Sequence, residues 1–310
     1  MPFLYMLIGL PASGKSYFAK NYTEDSENVI HISSDAIRKE LYGSEEVQDN
    51  PNKVFSIMFH RTVDALLSNN SVVYDATNIS RKYRMAFLKD LDAALGSFAS
   101  KVSKIGLVFA IPVEVCLERN KARDRSVPEE VIYRMYRNFQ MPSVFEGFDH
   151  IDIANPFKDN SILRDKLGAT NTIQHDNPHH SLTIGSHCAA AARYIYLNEA
   201  EIMKDFCKSD YSSLLKAALY HDIGKPFCKT FIKPNGKQDD KAHYYNHENV
   251  GAYDYLCYRE DIDAKDVALL INLHMIHYMD KKYQNKMQIL YGEKIWKALE
   301  WLNKADMAAH

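Results

Sequence analysis

Leu7-Ile8-Gly9-Leu10-Pro11-Ala12-Ser13-Gly14-Lys15-Ser16 decides the reading of this 310-residue chain. Gly9, four intervening residues and Gly14-Lys15-Ser16 form a phosphate-binding loop pattern. The residue types follow from physics. Glycines let the backbone curl so that successive N–H groups, including that of Ser13, point at a phosphate. A helix opening near Lys15 adds the positive end of its dipole. Lys15 is expected to reach the β- and γ-phosphates, and the Ser16 hydroxyl to hold Mg²⁺. The flanks agree: Phe3 to Ile8 is an apolar run of strand length, and Tyr17-Phe18-Ala19-Lys20 continues a helix.

Working outward, the chain is long enough for about two domains. It is 46% hydrophobic and 25% charged, an ordinary globular composition. No apolar run approaches the roughly 20 residues that span a membrane. The first strand begins at Phe3, which leaves no room for a basic start and a cleavable apolar segment. Cys116, Cys188, Cys207, Cys228 and Cys257 are scattered, odd in number and form no CxxC pair. That usage suits free thiols in a reducing cytoplasm and argues against a structural zinc site. A net charge of −2 excludes a polyanion binder by bulk charge. Contact with nucleic acid must rest on local basic patches.

Val29-Ile30-His31-Ile32 reads as a second strand, followed by Ser33-Ser34-Asp35 and a helix from Ala36. Ser34 or Asp35 is expected as the helix N-cap. Asp35 is also placed where ligands bind in open α/β sheets, at the carboxyl end of a strand. There a carboxylate can take the proton of a hydroxyl as its oxygen attacks a γ-phosphate. Ser71 to Asp75 is a further strand ending in an acid, and Asp75 is expected to hold Mg²⁺, directly or through water. Arg81, Lys82 and Arg84 open the next helix, either as a solvated face or as substrate-phosphate contacts. Ile105 to Ile111 is another buried strand. After Pro112, the run Arg119-Asn120-Lys121-Ala122-Arg123-Asp124-Arg125 suits a mobile lid over transferring phosphates or an exposed charged helix. A helix from about Glu129 carries Arg134 and Arg137. Glu146-Gly147-Phe148-Asp149 ends the first domain.

Gly9 to Ser16, Ser34-Asp35-x-x-Arg38, Asp75-Ala76-Thr77-Asn78, Arg119-Asn120-x-x-Arg123 and Glu146 to Asp149 together resemble the polynucleotide 5′-kinase group of P-loop kinases. The resemblance implies an α/β domain over about residues 1–155 that phosphorylates a 5′-hydroxyl with ATP and Mg²⁺. It implies Asp35 as general base and Arg38 on the nucleic-acid phosphate. Arg119 and Arg123 would then be lid arginines on the ATP phosphates.

Residues 156–172 read as a polar linker with room for one short helix. Helical periods then take over almost throughout. Nine of the thirteen histidines fall between His175 and His277. The buried helix Leu214 to Tyr220 ends in His221-Asp222-Ile223-Gly224-Lys225-Pro226, where adjacent His and Asp can share a divalent cation. His180 and His187 stand seven apart, on one helical face. His243, His247, His274 and Asp306 follow. Imidazoles with carboxylates suit Mn²⁺, Fe, Co²⁺, Ni²⁺ or Mg²⁺ in a hydrolytic site.

These motifs, with Asn246 to Ala252, resemble the HD phosphohydrolase superfamily over about residues 173–310, and most of all the HD domain of bacterial CCA-adding enzymes. Nothing here resembles the nucleotidyltransferase part of those enzymes. The resemblance implies an all-α domain acting on 2′,3′-cyclic phosphates and phosphomonoesters. It implies His187 (or His180), His221, Asp222 and Asp306 as primary ligands, which makes the C-terminal residues more than a dispensable tail. His247 and His274 would serve a second metal or the phosphate, and Lys225 would face the phosphate. A 5′-kinase joined to a 2′/3′-phosphate hydrolase makes sense for one substrate, a broken RNA (or DNA) with both ends to mend before a separate RNA ligase joins them. Two other readings are a small-molecule or nucleotide kinase fused to a nucleotidase, and a kinase regulated by a nucleotide-sensing HD module.

Overall fold

The computed structural model describes every residue except Gln48, Asp124, Arg125, Pro178, His179, His180, Glu260 and His310. The chain packs as two compact units.

The first unit, Met1–Ile132 with Pro142–Ala154, is built on a parallel sheet. Its strands are β1 (Phe3–Ile8), β2 (Val29–Ser33), β3 (Ser71–Asp75), β4 (Ser103–Phe109) and β5 (His150–Ala154), in the order β2-β3-β1-β4-β5. Every pairing is parallel. Parallel neighbours need crossovers, and helices α1 (Lys15–Glu24), α2 (Ser34–Tyr42), α3 (Pro51–Leu67), α4 (Arg81–Leu95) and α5 (Val113–Lys121) supply them. β3 is buried at all five positions, as a strand covered on both faces must be. The register puts Leu7 and Ser33 opposite Asp75. The carboxyl ends of β1, β2 and β3 therefore meet at one edge. The apolar pattern pointed to four strands. The fifth, β5, lies at the sheet's edge, pairs on one side only and alternates in burial at its start, so its apolar signal is thin.

The second unit takes Tyr133–Met141 and Asn155–His310. Its helices are α7 (Asn160–Ala169), α8 (Ile184–Leu197), α9 (Glu199–Ile202), α10 (Lys208–Tyr220), α11 (Lys225–Cys228), α12 (His247–Tyr258), α13 (Ala264–Leu273) and α14 (Lys281–Ala308). A short antiparallel hairpin, β6 (Thr230–Ile232) and β7 (Gln238–His243), interrupts them. On α12 nearly every residue is buried, so it forms the unit's centre. α14 is broken at Gly292, whose φ of 74° only glycine adopts readily.

One boundary differs from the sequence reading, and the linker carries the short helix expected there. The helix α6 (Glu129–Arg137) starts in the first unit, but Tyr133–Met141 packs with the second. The rings of Tyr136 and Phe139 lie edge-on to Tyr253, and the Tyr136 hydroxyl donates to Asp254. Arg137 lies over the Phe227 ring at 5.0 Å. The stretch read as a linker is mostly α7, anchored by fully buried Leu163. Among the described residues, no helix is long and apolar enough to cross a membrane.

Candidate active sites

The loop after β1 takes backbone conformations that its sequence allows. Gly9 has φ 156° and Gly14 φ 96°. A Cβ on Gly9 would stand 3.0 Å from the Phe109 carbonyl oxygen, so a side chain there would crowd β4 and strain the loop. α1 begins at Lys15. Ser16 is exposed on its first turn. The Lys15 ammonium is buried and donates to the carbonyls of Gly9 and Leu10, at 3.0 and 2.6 Å, and to Ser13 Oγ at 3.3 Å. Burial lowers it to about 8, against the pull of Asp75, Cys116 and Asp35. The same balance shows that Asp35, Asp75 and Arg123 all act on the Lys15 charge.

Each expected partner has a definite place. Asp75 ends β3, is buried, and lies 3.0 Å from His31 Nε2. His31 on β2 is a site residue that the sequence reading missed, since a lone histidine in a strand carries no signal. The N-cap of α2 is Ser33, whose Oγ accepts from the Ala36 amide, and neither Ser34 nor Asp35. Asp35 Oδ1 accepts from Arg38 Nη1 at 3.0 Å, one helical turn on. Arg38 is buried, and its Nε finds no partner among the described residues. Arg119 Nη1 would stand 3.9 Å from a Cβ on Gly14, beside the loop. Arg123 is exposed, past the end of α5. Buried Asn120 grips the Val127 backbone from both sides, at 2.7 and 2.9 Å, and so fixes the ends of the Arg123 segment. Arg125, the last arginine of that run, lies outside the described residues.

Arg84 corrects both expectations for its cluster. It is neither solvated nor turned to a substrate. Its Nε and Nη2 donate to the two oxygens of Glu146 at 2.7 and 2.8 Å, in full burial. A third bond, to the Asn78 carbonyl at 2.9 Å, secures the loop after β3. Asn78 Nδ2 in turn donates to the Leu7 carbonyl at 2.7 Å, and the Gly9 amide to the Thr77 carbonyl at 3.0 Å. Glu146, Arg84 and Asn78 thus brace the phosphate loop from behind.

In the second unit, two triads converge: His187, His221 and Asp306, and Asp222, His247 and His274. Each ligand comes from a different element. His187 stands in the first turn of α8, His221 caps α10, His247 opens α12, His274 caps α13, and Asp306 lies near the end of α14. Asp222 joins the triads. Its Oδ2 lies 3.5 and 3.3 Å from His187 and His221 Nε2, and its Oδ1 lies 3.1 and 3.8 Å from His247 and His274 Nε2. Gly224 makes this possible, because a Cβ there would stand 2.2 Å from the His247 carbonyl oxygen of α12.

The imidazoles are set in one protonation pattern. His187, His221, His247 and His274 each place Nδ1 against a backbone carbonyl, of Ala309, Ala218, Tyr244 and Ile271, at 2.7 to 2.9 Å. A carbonyl only accepts, so Nδ1 carries a hydrogen in each ring, and each Nε2 offers its lone pair to a cation or a proton. Those lone pairs face each other, 3.2 Å apart between His187 and His221 and 3.1 Å between His247 and His274. Such pairs repel unless a proton or cation lies between them. This donor set fits divalent cations, with Asp222 within reach of both triads.

Burial opposes charge here, yet Asp222 is held well below the usual carboxylate range by His221 and Lys225. Asp306 is likewise depressed against its burial, by hydrogen bonds from His187 and His221. Lys225 Nζ lies 2.6 Å from Asp222 Oδ2 and 3.3 Å from His175 Nε2. Burial, with Lys225 beside it, lowers His175 to about 4, so at neutral pH this ring accepts from Lys225. His175 is a second missed residue, marked in sequence only by the local density of histidines. His243 is not in the cluster. It pairs with Asp239 at 2.9 Å. His180, the competitor of His187, lies outside the described residues. The centre opens into a cavity of about 650 Å³.

With both sites in place, comparison with known proteins is informative. Residues 4–142 match the AAA domain model and residues 179–306 the HD domain model. An AAA domain is joined to an HD domain. The chain is 29% identical over 164 residues to L-seryl-tRNA(Sec) kinase of Methanococcus maripaludis, covering 48% of this chain and 57% of that protein. It is 28% identical over 169 residues to the "Putative bifunctional polynucleotide phosphatase/kinase" of Acanthamoeba polyphaga mimivirus, covering 52% of this chain and 35% of that one. The chain therefore spans between a third and three fifths of the length of these relatives. A solved Pnkp1/Rnl/Hen1 complex contains a chain that is 25% identical, with 38% of each chain covered and a TM-score of 0.32. For a fungal RNA kinase the values are 19%, 54% of this chain, 41% of that one and 0.38. Scores this low leave the fold assignment to the sheet order and the family models.

Proposed function

We propose that this AAA–HD chain heals broken RNA ends. The AAA unit would transfer the γ-phosphoryl group of ATP to a 5′-hydroxyl. The HD unit would hydrolyse 2′,3′-cyclic phosphate and 2′/3′-phosphate ends. What carries the proposal is the presence, in one chain, of a phosphate loop with an acid at the neighbouring strand end and a two-cation cradle of four Nε2 lone pairs. The named activity of the mimiviral relative points the same way.

In the AAA unit, Lys15 and the loop amides would hold the ATP phosphates, while Ser16 and Asp75 would hold Mg²⁺. His31 orients Asp75. Asp35 takes the proton as the 5′ oxygen bonds to phosphorus and the bond to ADP breaks, and Arg119 and Arg123 stabilise the charge that develops. Arg38 would contact the nucleic-acid phosphate. In the HD unit, His187, His221, Asp222 and Asp306 would hold one cation, and Asp222, His247 and His274 would serve a second. Bound divalent cations polarise a phosphoryl oxygen and acidify water. Lys225, held by Asp222 and His175, would supply a fixed positive charge at the cavity wall. Imidazole-rich donors favour Mn²⁺, Co²⁺ or Ni²⁺. A separate RNA ligase would consume the product. Five free thiols are in keeping with the cytoplasm.

An RNA with a 5′-hydroxyl and a 2′,3′-cyclic phosphate, incubated with ATP and Mn²⁺ or Ni²⁺, should emerge with a 5′-phosphate and a free 3′ end. Lys15→Ala should block only the first change. A second reading follows from the archaeal relative: an AAA unit that phosphorylates a hydroxyl other than a 5′ end, beside a nucleotidase. Phosphorylation of seryl-tRNA or a free nucleoside in preference to the RNA end would favour it. If the HD unit shows no metal-dependent turnover on any phosphate, it is a sensing module instead.

A further inference from the structure

The wall of the HD cavity carries an aromatic feature that phosphate hydrolysis does not itself need. β7 alternates, so Asp239, Lys241 and His243 share one face. Asp239 Oδ2 accepts from His243 Nε2 at 2.9 Å and lies 3.3 Å from Lys233 Nζ, which fixes the His243 ring. Just beyond the strand, Tyr245 stacks on His243 with ring centroids 5.3 Å apart and planes only 10° from parallel. Tyr245 remains 42% exposed. Both rings line the same cavity as Asp222, Lys225, His247 and His274. A ring held rigid yet open beside a phosphate-handling centre presents a flat apolar face to whatever is attached to that phosphate. Nucleobases bind such faces by stacking, irrespective of sequence, because every base has a π-face.

We propose that His243 and Tyr245 form a stacking platform for the base of the nucleotide whose ribose carries the scissile phosphate. The platform makes the HD centre select nucleotides over other phosphomonoesters. This rests on the reading of the HD unit as a phosphohydrolase. Asp239 acts through His243 as a positioning residue.

The test compares wild type, Tyr245→Ala and Tyr245→Phe on three substrates: an oligoribonucleotide 3′-phosphate, a nucleoside 3′-monophosphate and glycerol 2-phosphate. Tyr245→Ala should raise KM about tenfold on both base-bearing substrates, the scale of one base on one aromatic ring. Its kcat should hold. Glycerol 2-phosphate has no ring to stack and should show no change. Tyr245→Phe keeps the ring and should behave as wild type. The wild-type ratio of oligonucleotide to mononucleotide kcat/KM tells whether the base is met on an RNA end or on a free nucleotide. Equal losses on all three substrates, no loss on any, or a loss on the oligonucleotide alone would overturn the platform. Affinity for the nucleoside 3′-monophosphate, measured by calorimetry, should fall about tenfold in Tyr245→Ala. That reads the platform even if nothing is hydrolysed, and absence of turnover on all three substrates would count only against the phosphohydrolase reading.

Discussion

Replacing Asp222 with Asn keeps the side chain's shape and removes its charge. The carboxylate sits between two histidine pairs, with Oδ2 within 3.5 Å of His187 and His221 Nε2 and Oδ1 within 3.8 Å of His247 and His274 Nε2. An amide in its place offers one acceptor and one donor where two acceptors stood. Substitutions one shell further out typically cost metal affinity or activity about 10- to 100-fold. Asp222 lies inside that shell and serves both positions. The floor is therefore about 10- to 100-fold for each cation, or about 10²–10⁴ for the pair. Two cations per chain should be counted in wild type by metal analysis after gel filtration, and fewer than two in Asp222→Asn. Hydrolysis of a 3′-phosphate should fall at least as far as the affinity. The phosphate loop belongs to the other packing unit, so 5′-phosphorylation with Mg²⁺–ATP should survive. A mutant that kept both cations and its hydrolytic rate would refute the bridging assignment.

Arg123→Ala should lower kcat for phosphoryl transfer on the order of 10³-fold if the exposed guanidinium closes over the phosphates, with little change in ATP affinity. An unchanged kcat in a quench-flow assay would leave it a solvated residue. Lys15 should titrate near pH 8 by NMR in the nucleotide-free protein. Because the folded value is depressed, its burial costs stability below that pH, and the cost is relieved as pH rises towards the ordinary 10.5; bound ATP should move the titration upward. Glu146→Ala should destabilise the AAA unit by about 3–5 kcal/mol, because it strands the fully buried Arg84 charge, whereas Arg84→Met with Glu146→Leu should recover most of the loss. Trp296 and Trp301, the two tryptophans, both lie in the HD unit, so hydrogen exchange in β1, rather than fluorescence, is the assay.

Local sequence determined those features whose physics is local. Gly9, Gly14 and Lys15 specify a strand, a curled loop and a helix within a dozen residues, since φ values and dipoles are set by near neighbours. The adjacency of His221 and Asp222 at a helix end marked the candidate metal centre for the same reason. Tertiary packing decided the rest. Arg84 meets Glu146 across 62 residues, and His187 meets Asp306 across 119, so neither pairing has a period or a spacing to betray it. Which histidines turn Nε2 inward depends on carbonyls that α8, α10, α12 and α13 bring to their Nδ1 atoms. His243 follows the same composition as His247 but finds Asp239 instead. Tyr133 to Met141 lies between β4 and β5 in sequence yet buries its rings against Tyr253, because apolar side chains go where a complementary surface removes them from water, and chain order does not say where that surface is.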